Sequence, residues 1–363
     1  MPLDRAARAD GARIRAALAV RLRDLDRAEE AFAESCARAA RSWPRDGVPD
    51  NPAGWLYRVA IRVAIDQMRR SPLDAAEPAA PAAEPDPWAI PDERLRLIFL
   101  SCHPALAPDA RVALTLRIVC GLSTEAIAAM FLQPVATVAQ RIVRAKRKIA
   151  TSNIAFELPP RGEWDERADA VLATIEVAYA RVHADAAGTG PHADPGGEMV
   201  TLATLAAELL PHNADAHALA ATLCFAEARR PARIDAAGRM VPLDQQDPAL
   251  WDKARIARGR LHLGRALAAR SGSRRILLAL THAEWCARVS LDDPPPWPAL
   301  LTLYDAMLAT ADDPVVRLNR AVALAHVQGA EAALAEIDTL DVPDDWQPLH
   351  AVRADLLARL GRA

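Results

Sequence analysis

The stretch GLSTEAIAAMFLQPVATVAQRIVRAKRKIA, residues 121–150, decides the fold of the first half of this chain. Gly121 has the position of a helix C-cap, and Ser123 or Thr124 that of the N-cap of the next helix. A short turn containing Pro134 precedes a second helix. The apolar residues of that helix recur at a 4-3-4 spacing: Val138, Ile142, Ala145 and Ile149. The pattern predicts two helices joined by a tight turn.

The face of the second helix opposite this apolar seam is polar and basic. Its residues are Gln140, Arg141, Arg144, Arg147 and Lys148. Such a helix, preceded by a short helix and a turn, is typical of a helix-turn-helix whose second helix enters the DNA major groove. Arginines can neutralise phosphates, and Gln140 or an arginine can reach base edges. A solvated helical hairpin in an all-α protein explains the periodicity and the charge equally well.

The charge of the chain is divided unevenly between its halves. The chain has 363 residues and a net charge of −3. Residues 1–153 hold 23 Lys/Arg and 18 Asp/Glu, a net charge of +5, whereas residues 154–363 hold 21 and 29, a net charge of −8. A basic cluster is expected where a chain contacts a polyanion, although many such clusters are only solvated faces. The alanine-rich composition favours helix throughout.

Several classes of protein and site are not expected from this sequence. No apolar run is long enough for a membrane span, and residues 1–20 lack the apolar core of a signal peptide. Five scattered cysteines argue against a disulfide framework and for the reducing cytoplasm. Cys102 and His103 have no second ligand pair nearby, so no metal site is predicted. Nucleotide-binding and nucleophile-elbow motifs are absent, so no cofactor and no enzymatic activity are predicted.

Proline-rich breaks divide the chain. We predict an all-α protein with a small helical domain over residues 1–71 and an acidic, proline-rich linker over residues 72–91. A helix-turn-helix domain over residues 92–155 and a helical C-terminal domain over residues 160–363 follow. A stretch of this kind, fully extended, spans roughly 65 Å at ~3.1 Å per residue.

Ordered motifs along most of the chain resemble one known family. G-L-S-x-x-x-I-A followed by T-V-x-x-R-I-x-R-A-K is similar to region 4 of sigma-70-type factors of RNA polymerase, especially the extracytoplasmic-function (ECF) group. W-P-R-D-G-V-P-D-N-P-A-G-W-L at 43–56 and A-I-D-x-M-R-R at 64–70 resemble region 2. The segments at 92–106 and 228–235 resemble the ECF subgroup with a long tetratricopeptide-like C-terminal extension.

The resemblance implies a dissociable initiation subunit of bacterial RNA polymerase core, which recognises promoter DNA. Glu30 and Glu34 would then bind the clamp coiled coil of the largest polymerase subunit, and region 4 would dock on the flap of the second-largest subunit. The residues implied in −10 recognition are Arg45, Asp46, Asn51, Trp55, Arg58 and Arg62. Those implied in −35 recognition are Thr137, Gln140, Arg141 and Arg144, with Lys146, Arg147 and Lys148 on phosphates.

Helix pairs with a period near 34 residues predict a tetratricopeptide-like solenoid in the C-terminal half. Ala321 recurs as Ala354 at an offset of 33. An acidic domain tethered to basic modules favours an electrostatic contact with regions 2 and 4 of the same chain, and we expect it to regulate their activity. A basic motif in this half is a candidate docking site or a purely structural cap: Arg229, Arg230, Arg233 and Asp235.

Two other interpretations remain open at this point. A helix-turn-helix regulator with a ligand- or peptide-binding solenoid would share the DNA-reading helix but would not bind polymerase core. An all-α enzyme would need a convergent polar cluster in the C-terminal half, which the sequence does not show. Region 2 separates the first two hypotheses, because only a sigma factor needs Glu30, Glu34 and the Trp43–Trp55 loop.

Overall fold

The computed structural model describes residues 2–70, 93–184 except 132, 153, 155 and 158, 195–269, 272–343 and 345–362. Within these ranges the regular structure is helical, apart from one isolated bridge between Ile234 and Met240. The prediction of an all-α protein is confirmed. The chain forms two compact units, Met1–Met199 and Val200–Ala363. The predicted linker, residues 72–91, lies outside the described residues.

A three-helix bundle opens the first unit. It consists of α1 (Pro2–Leu22), α2 (Leu25–Asp46) and α3 (Pro52–Arg70), each packed on the other two. Ile14, Leu18 and Leu56 are fully buried in it. The Asp24 carboxylate caps α2 by accepting hydrogen bonds from the backbone N–H groups of Asp26 and Arg27, which satisfies two donors that have no partner inside the helix.

Four further helices contain the predicted helix-turn-helix: α4 (Arg94–Ser101), α5 (Pro108–Ile118), α6 (Thr124–Phe131) and α7 (Val135–Thr151). Gly121 has a φ of +72°, and the Arg15 guanidinium lies where a Cβ would be, so this turn requires glycine. The Ser123 hydroxyl caps α6 by accepting from the Ala126 N–H at 3.1 Å. The predicted seam is confirmed, since all four residues are buried: Val138, Ile142, Ala145 and Ile149.

The helix after the helix-turn-helix packs back onto it. Helix α8 (Trp164–Ala184) contacts α4, α5 and α6, and the rings of Phe99 and Trp164 lie 5.7 Å apart. Leu172 and Ile175 are fully buried in this contact region. The sequence assigns everything after residue 160 to a C-terminal domain, whereas α8 lies in the first compact unit with the helix-turn-helix.

The remaining helices are α9 (Pro195–Leu209), α10 (Ala214–Ala228), α11 (Lys253–Ala268), α12 (Arg274–Trp285), α13 (Trp297–Leu308), α14 (Pro314–Val327), α15 (Ala330–Ile337) and α16 (Gln347–Arg359). The centre of the second unit is α10, which is buried all round from Ala216 to Ala228. Gly259 of α11 allows close packing, because a Cβ there would lie 2.8 Å from the Phe225 ring of α10.

The proposed repeat is visible in the spacing of the elements but not in their burial. Helices α14 and α16 begin at Pro314 and Gln347, 33 residues apart. Ala321 is fully buried, yet Ala354, its equivalent at the same offset, is exposed. The tetratricopeptide-like character of this half therefore stays a prediction. None of the described helices combines the length and the apolar character needed to cross a membrane.

Candidate nucleic-acid interface

Helix α7 presents one polar face to solvent, opposite its buried seam. The exposed residues of this face are Thr137, Gln140, Arg144, Arg147 and Lys148. Arg144 donates from Nε to the Gln140 carbonyl at 3.3 Å, so its guanidinium lies along its own helix. Arg141 is half-buried, and its guanidinium lies 5.8 Å from the centroid of the Phe131 ring. Of the predicted base-reading residues, Thr137, Gln140 and Arg144 therefore share one exposed surface of α7, as insertion into a major groove requires, while Arg141 is half-buried.

Lys146 faces away from that surface. Only 9% of its side chain is exposed, and its ammonium lies 2.7 Å from Asp26 Oδ1 and 2.7 Å from Glu29 Oε2, both on α2. Burial lowers the pKa of Lys146, but its hydrogen bonds to the two carboxylates outweigh burial and raise the pKa above its ordinary value. Lys146 was predicted to contact phosphates with Arg147 and Lys148; in this conformation its charge is instead neutralised within the chain.

The predicted −10 residues lie around the connection between α2 and α3. Arg45 and Asp46 are exposed and pair with each other at 3.0 Å. Asn51 caps α3, because its Oδ1 accepts from the Gly54 N–H at 2.8 Å. Trp55 is half-buried, and its ring lies edge-on to the buried Trp43 with centroids 5.6 Å apart. The connection between α2 and α3 is therefore fixed by two contacts: the Asn51 cap at the start of α3, and the ring contact between Trp43 on α2 and Trp55 on α3.

Two basic side chains continue this surface along α3. Arg58 is half-buried, and its Nε donates to the Gly54 carbonyl at 3.4 Å, one turn earlier. Arg62, one turn further on, is exposed. Since residues four apart lie on the same side of a helix, Arg58 and Arg62 extend one basic stripe from the α2–α3 connection. An aromatic ring beside a basic stripe is the combination by which proteins hold single-stranded nucleic acid.

Comparison with known families identifies the two parts of the chain that carry these surfaces. Residues 8–71 match the model of sigma-70 region 2 and span most of α1 and all of α2 and α3. Residues 96–149 match the model of sigma-70 region 4 and span most of α7. The chain belongs to the sigma-70 family. Regions 2 and 4 of sigma-70 factors recognise promoters, and they imply RNA polymerase core and promoter DNA as partners. Sigma factor families are not enzymes.

Similar proteins cover the chain to different extents. An uncharacterised protein of Rhizobium meliloti (strain 1021) is 36% identical over 356 residues, which cover 94% of this chain and 84% of that protein. The ECF RNA polymerase sigma-E factors of Escherichia coli (strain K12) and Salmonella typhimurium (strain LT2) are each 36% identical over 110 residues. That alignment covers 26% of this chain and 57% of the sigma-E factors. No solved structure matches the chain significantly.

The second half matches a family without an assigned role. Residues 167–267 match the family of unknown function DUF6596. This match begins in α8, which packs on region 4, and extends to the end of α11 in the second unit. The sigma-70 assignment therefore rests on the first half of the chain, while the Rhizobium relative shares both halves.

Region 2 of this sigma-70 family member also contains the predicted polymerase-binding residues, on α2. Glu30 is exposed. Glu34 accepts from Arg38 Nε at 3.0 Å and from Arg41 at 3.4 Å. The hydrogen bond from Arg38 holds the pKa of Glu34 below its ordinary value. The two carboxylates are four residues apart, on the same side of α2.

The basic motif at residues 228–235 makes most of its contacts within the second unit. Arg229 is buried and donates from Nη2 to His282 Nδ1 at 2.8 Å; that nitrogen is the acceptor, because a guanidinium has only donors. Arg230 pairs with Glu227 at 3.4 Å. Asp235 accepts from the backbone N–H groups of Ala237 and Arg239 in a tight turn. Arg233 is half-buried before that turn. These contacts favour the structural interpretation of the motif, and its docking role stays a prediction.

Two groups of polar residues were missed by sequence reasoning. Asp26, Glu29 and Arg117 belong to the ion-pair network around Lys146, and nothing in their spacing links them. His217 contacts His262 on α11, which is 45 residues away in the sequence. Among the described residues, no three His, Cys, Asp or Glu side chains are grouped so that they could hold a metal ion.

Proposed function

We propose that this sigma-70 family member is an ECF-type factor that binds bacterial RNA polymerase core in the cytoplasm and directs it to promoters. Region 2 reads the −10 element and region 4 the −35 element. The observation that supports the proposal most strongly is the presence of both regions in one chain, with the exposed basic face of α7 on region 4. The 110-residue similarity to the sigma-E factors supports the ECF assignment.

The proposed division of labour follows from the chemistry of each surface. Gln140 and Arg144 are proposed to read base edges, and Arg147 and Lys148 to neutralise phosphates. The α2–α3 connection and the first turns of α3 are proposed to hold an unpaired −10 base. There Trp55 supplies a stacking surface, and Arg58 and Arg62 supply positive charge. Glu30 and Glu34 are proposed to bind the clamp coiled coil, and region 4 the flap.

A reconstituted transcription assay tests this function. The full chain is mixed with bacterial core polymerase, and run-off transcripts are selected from a library of random promoters. We expect core-dependent transcripts sharing one −35 and one −10 sequence, and we expect Glu30→Lys to lower affinity for core. DNA binding by the chain alone, without core binding or transcription, would instead establish a helix-turn-helix regulator.

We further propose that the C-terminal half modulates this activity. Its net charge of −8 is opposite to that of the first 153 residues, +5, and the Rhizobium relative shares both halves over 94% of this chain. Helix α8 packs on region 4, so a truncation that removes residues 200–363 keeps α8 in place. We expect such a chain to bind core but to initiate at a changed rate. Unchanged initiation and unchanged control would contradict the regulatory role.

A further inference from the structure

Helix α11 is the basic element of an otherwise acidic unit. Residues 253–275, which contain α11 and the start of α12, hold 8 Lys/Arg and no Asp/Glu. The rest of residues 200–363 holds 10 Lys/Arg and 20 Asp/Glu. The negative net charge of the C-terminal half therefore conceals a local positive charge. Such a concentration of one sign of charge attracts partners of the opposite sign and speeds their association.

The exposed face of α11 lies opposite its buried one. The buried residues are Ile256, Gly259, His262, Leu263 and Ala266. On the other side, Arg258 and Arg265 form one exposed row and Ala257 and Gly264 a second, because seven residues complete about two helical turns. Leu261 lies between the two rows and is 57% exposed. Nothing lies within 4 Å of a Cβ at Gly264, so the described part of the unit leaves this face open.

Most cations of residues 253–275 have partners within the second unit. Those that pair with a carboxylate or donate to a backbone carbonyl are Lys253, Arg255, Arg260, Arg274 and Arg275. Arg258 and Arg265 differ from them, since both are exposed and neither pairs with a carboxylate among the described residues. Their Cα atoms are about 10.5 Å apart along the helix axis, at ~1.5 Å per residue. These two guanidiniums are available to a partner outside the chain.

The small number of available cations distinguishes a protein partner from a nucleic acid. The affinity of a protein for a nucleic-acid backbone grows with the number of phosphates that it neutralises, and two arginines neutralise few. An apolar side chain bordered by arginines is instead the composition of a protein interface. The element that presents carboxylates in register with Arg258 and Arg265 is a second helix with acidic residues seven positions apart.

We propose that the exposed face of α11 is a docking surface for an acidic amphipathic helix of a partner protein. Carboxylates of that helix pair with Arg258 and Arg265. Its apolar side chains pack on Leu261 and over Gly264, where the absence of a side chain lets the partner approach closely. The surface lies outside both sigma-70 regions, so it adds a protein partner to those of the proposed function.

Helical peptides displayed on phage test this partner chemistry. Alanine-rich peptides of about 20 residues, long enough to form a helix alone, are randomised along one face and selected against the full chain. We expect the enriched peptides to share Asp or Glu at positions seven apart, with a large apolar residue between them. One enriched peptide is then synthesised with a fluorescent label, and its Kd for the full chain is measured by fluorescence anisotropy.

Three substitutions should weaken binding of that peptide. Arg258→Glu and Arg265→Glu should each raise the Kd about three- to tenfold, because each turns an attraction between charges into a repulsion. Leu261→Ser should raise it roughly tenfold through the loss of apolar contact. All three side chains are exposed, so the variants should stay folded, which circular dichroism verifies.

Two matched substitutions separate the α11 face from general effects of charge and polarity. Leu250→Ser makes the same change as Leu261→Ser at a leucine of the second unit that is 56% exposed. Arg362→Glu changes the net charge as much as Arg258→Glu, at an exposed arginine that follows α16. Both should leave the Kd of the peptide unchanged.

Several results would overturn the docking surface. They are the failure to enrich any peptide, enriched peptides without paired acidic residues, and a Kd that is insensitive to Arg258→Glu and Arg265→Glu. Tight binding of a random-sequence DNA duplex that depends on these two arginines would also overturn it, since the face would then bind phosphates. The measurement uses neither polymerase nor promoter, so its failure leaves the proposed sigma function standing, and a failure of core binding leaves the docking surface standing.

Discussion

The imidazoles of His217 and His262 face each other in the core of the second unit, with their Nδ1 atoms 3.1 Å apart. Both rings are buried, and His217 Nε2 lies 3.1 Å from the Pro211 carbonyl. Burial lowers the pKa of His262 to about 4 and holds the pKa of His217 below its ordinary value. A hydrogen bond between the two Nδ1 atoms requires the accepting ring to be neutral, and a second proton on either ring would place charge in an apolar core.

We expect this pair to make stability fall as the pH falls. Above the unfolded-state pKa near 6.5 the stabilisation is fully present, and it is lost progressively as the pH falls towards about 4, because only the unfolded chain then takes up the proton. The loss should be roughly 1–3 kcal/mol, measured by urea unfolding at pH 7.5 and 5. His262→Gln should reduce this pH dependence, and His212→Gln, at an exposed site, should not. Equal pH dependence in all three chains would contradict the assignment.

Glycine positions on α11 provide a matched pair for testing the packing of the second unit. A Cβ at Gly259 would lie 2.8 Å from the fully buried Phe225 ring, whereas nothing lies within 4 Å of a Cβ at Gly264. Gly259→Ala should cost about 1–3 kcal/mol of unfolding free energy through overpacking. Gly264→Ala should add about 0.5–1 kcal/mol, since alanine loses less backbone entropy in a helix. Similar effects at both positions, measured by urea denaturation, would contradict the close approach of α10 and α11.

Substitutions on α7 should separate base reading from phosphate binding. Arg144→Ala should lower affinity for the selected promoter by about 1–3 kcal/mol and relax sequence preference at one position. Arg147→Ala should weaken binding to all sequences alike and reduce the slope of log affinity against log salt by about 1. Both are measured on the complex with core polymerase by fluorescence anisotropy, with Arg96→Ala as the control. An unchanged salt slope in Arg147→Ala would remove that residue from the interface.

Asn51 has an observed structural role and a proposed one, and two substitutions separate them. Its Oδ1 caps α3 through the Gly54 N–H, so Asn51→Ala should cost about 1 kcal/mol of stability. Asn51→Asp keeps an acceptor at the cap and should retain stability, but it removes the amide donor proposed to contact a −10 base. We expect Asn51→Asp to slow promoter opening, measured by permanganate reactivity of unpaired thymines. Normal opening in this variant would leave Asn51 with the structural role alone.

The helices and their buried faces followed largely from the sequence. The 4-3-4 spacing from Val138 to Ile149 predicted which side of α7 is buried, because helical periodicity relates positions a few residues apart whatever the partner. Gly121 and Ser123 marked helix ends for the same local reason. The exposed positions of Gln140 and Arg144 follow from that seam.

The role of Lys146 could not be predicted from the local sequence pattern. It belongs to a run of basic residues, and charge alone grouped it with Arg147 and Lys148 as a phosphate contact. It is four residues from Ile142, on the same side of α7 as the buried seam, and the structure pairs it with carboxylates 117 and 120 residues away. His217 is the equivalent case in the second unit, with a partner on another helix.

The sequence by itself determined the helical class, the helix-turn-helix and the basic face of α7, because these depend on composition and on periodicity within one helix. Only the tertiary structure decided that α8 packs on region 4, that region 4 is held against α2, and that two histidines share one buried site. Those relationships depend on which side chains meet when distant helices pack. A single sequence shows the face that each helix will bury, but not the residue that will lie opposite.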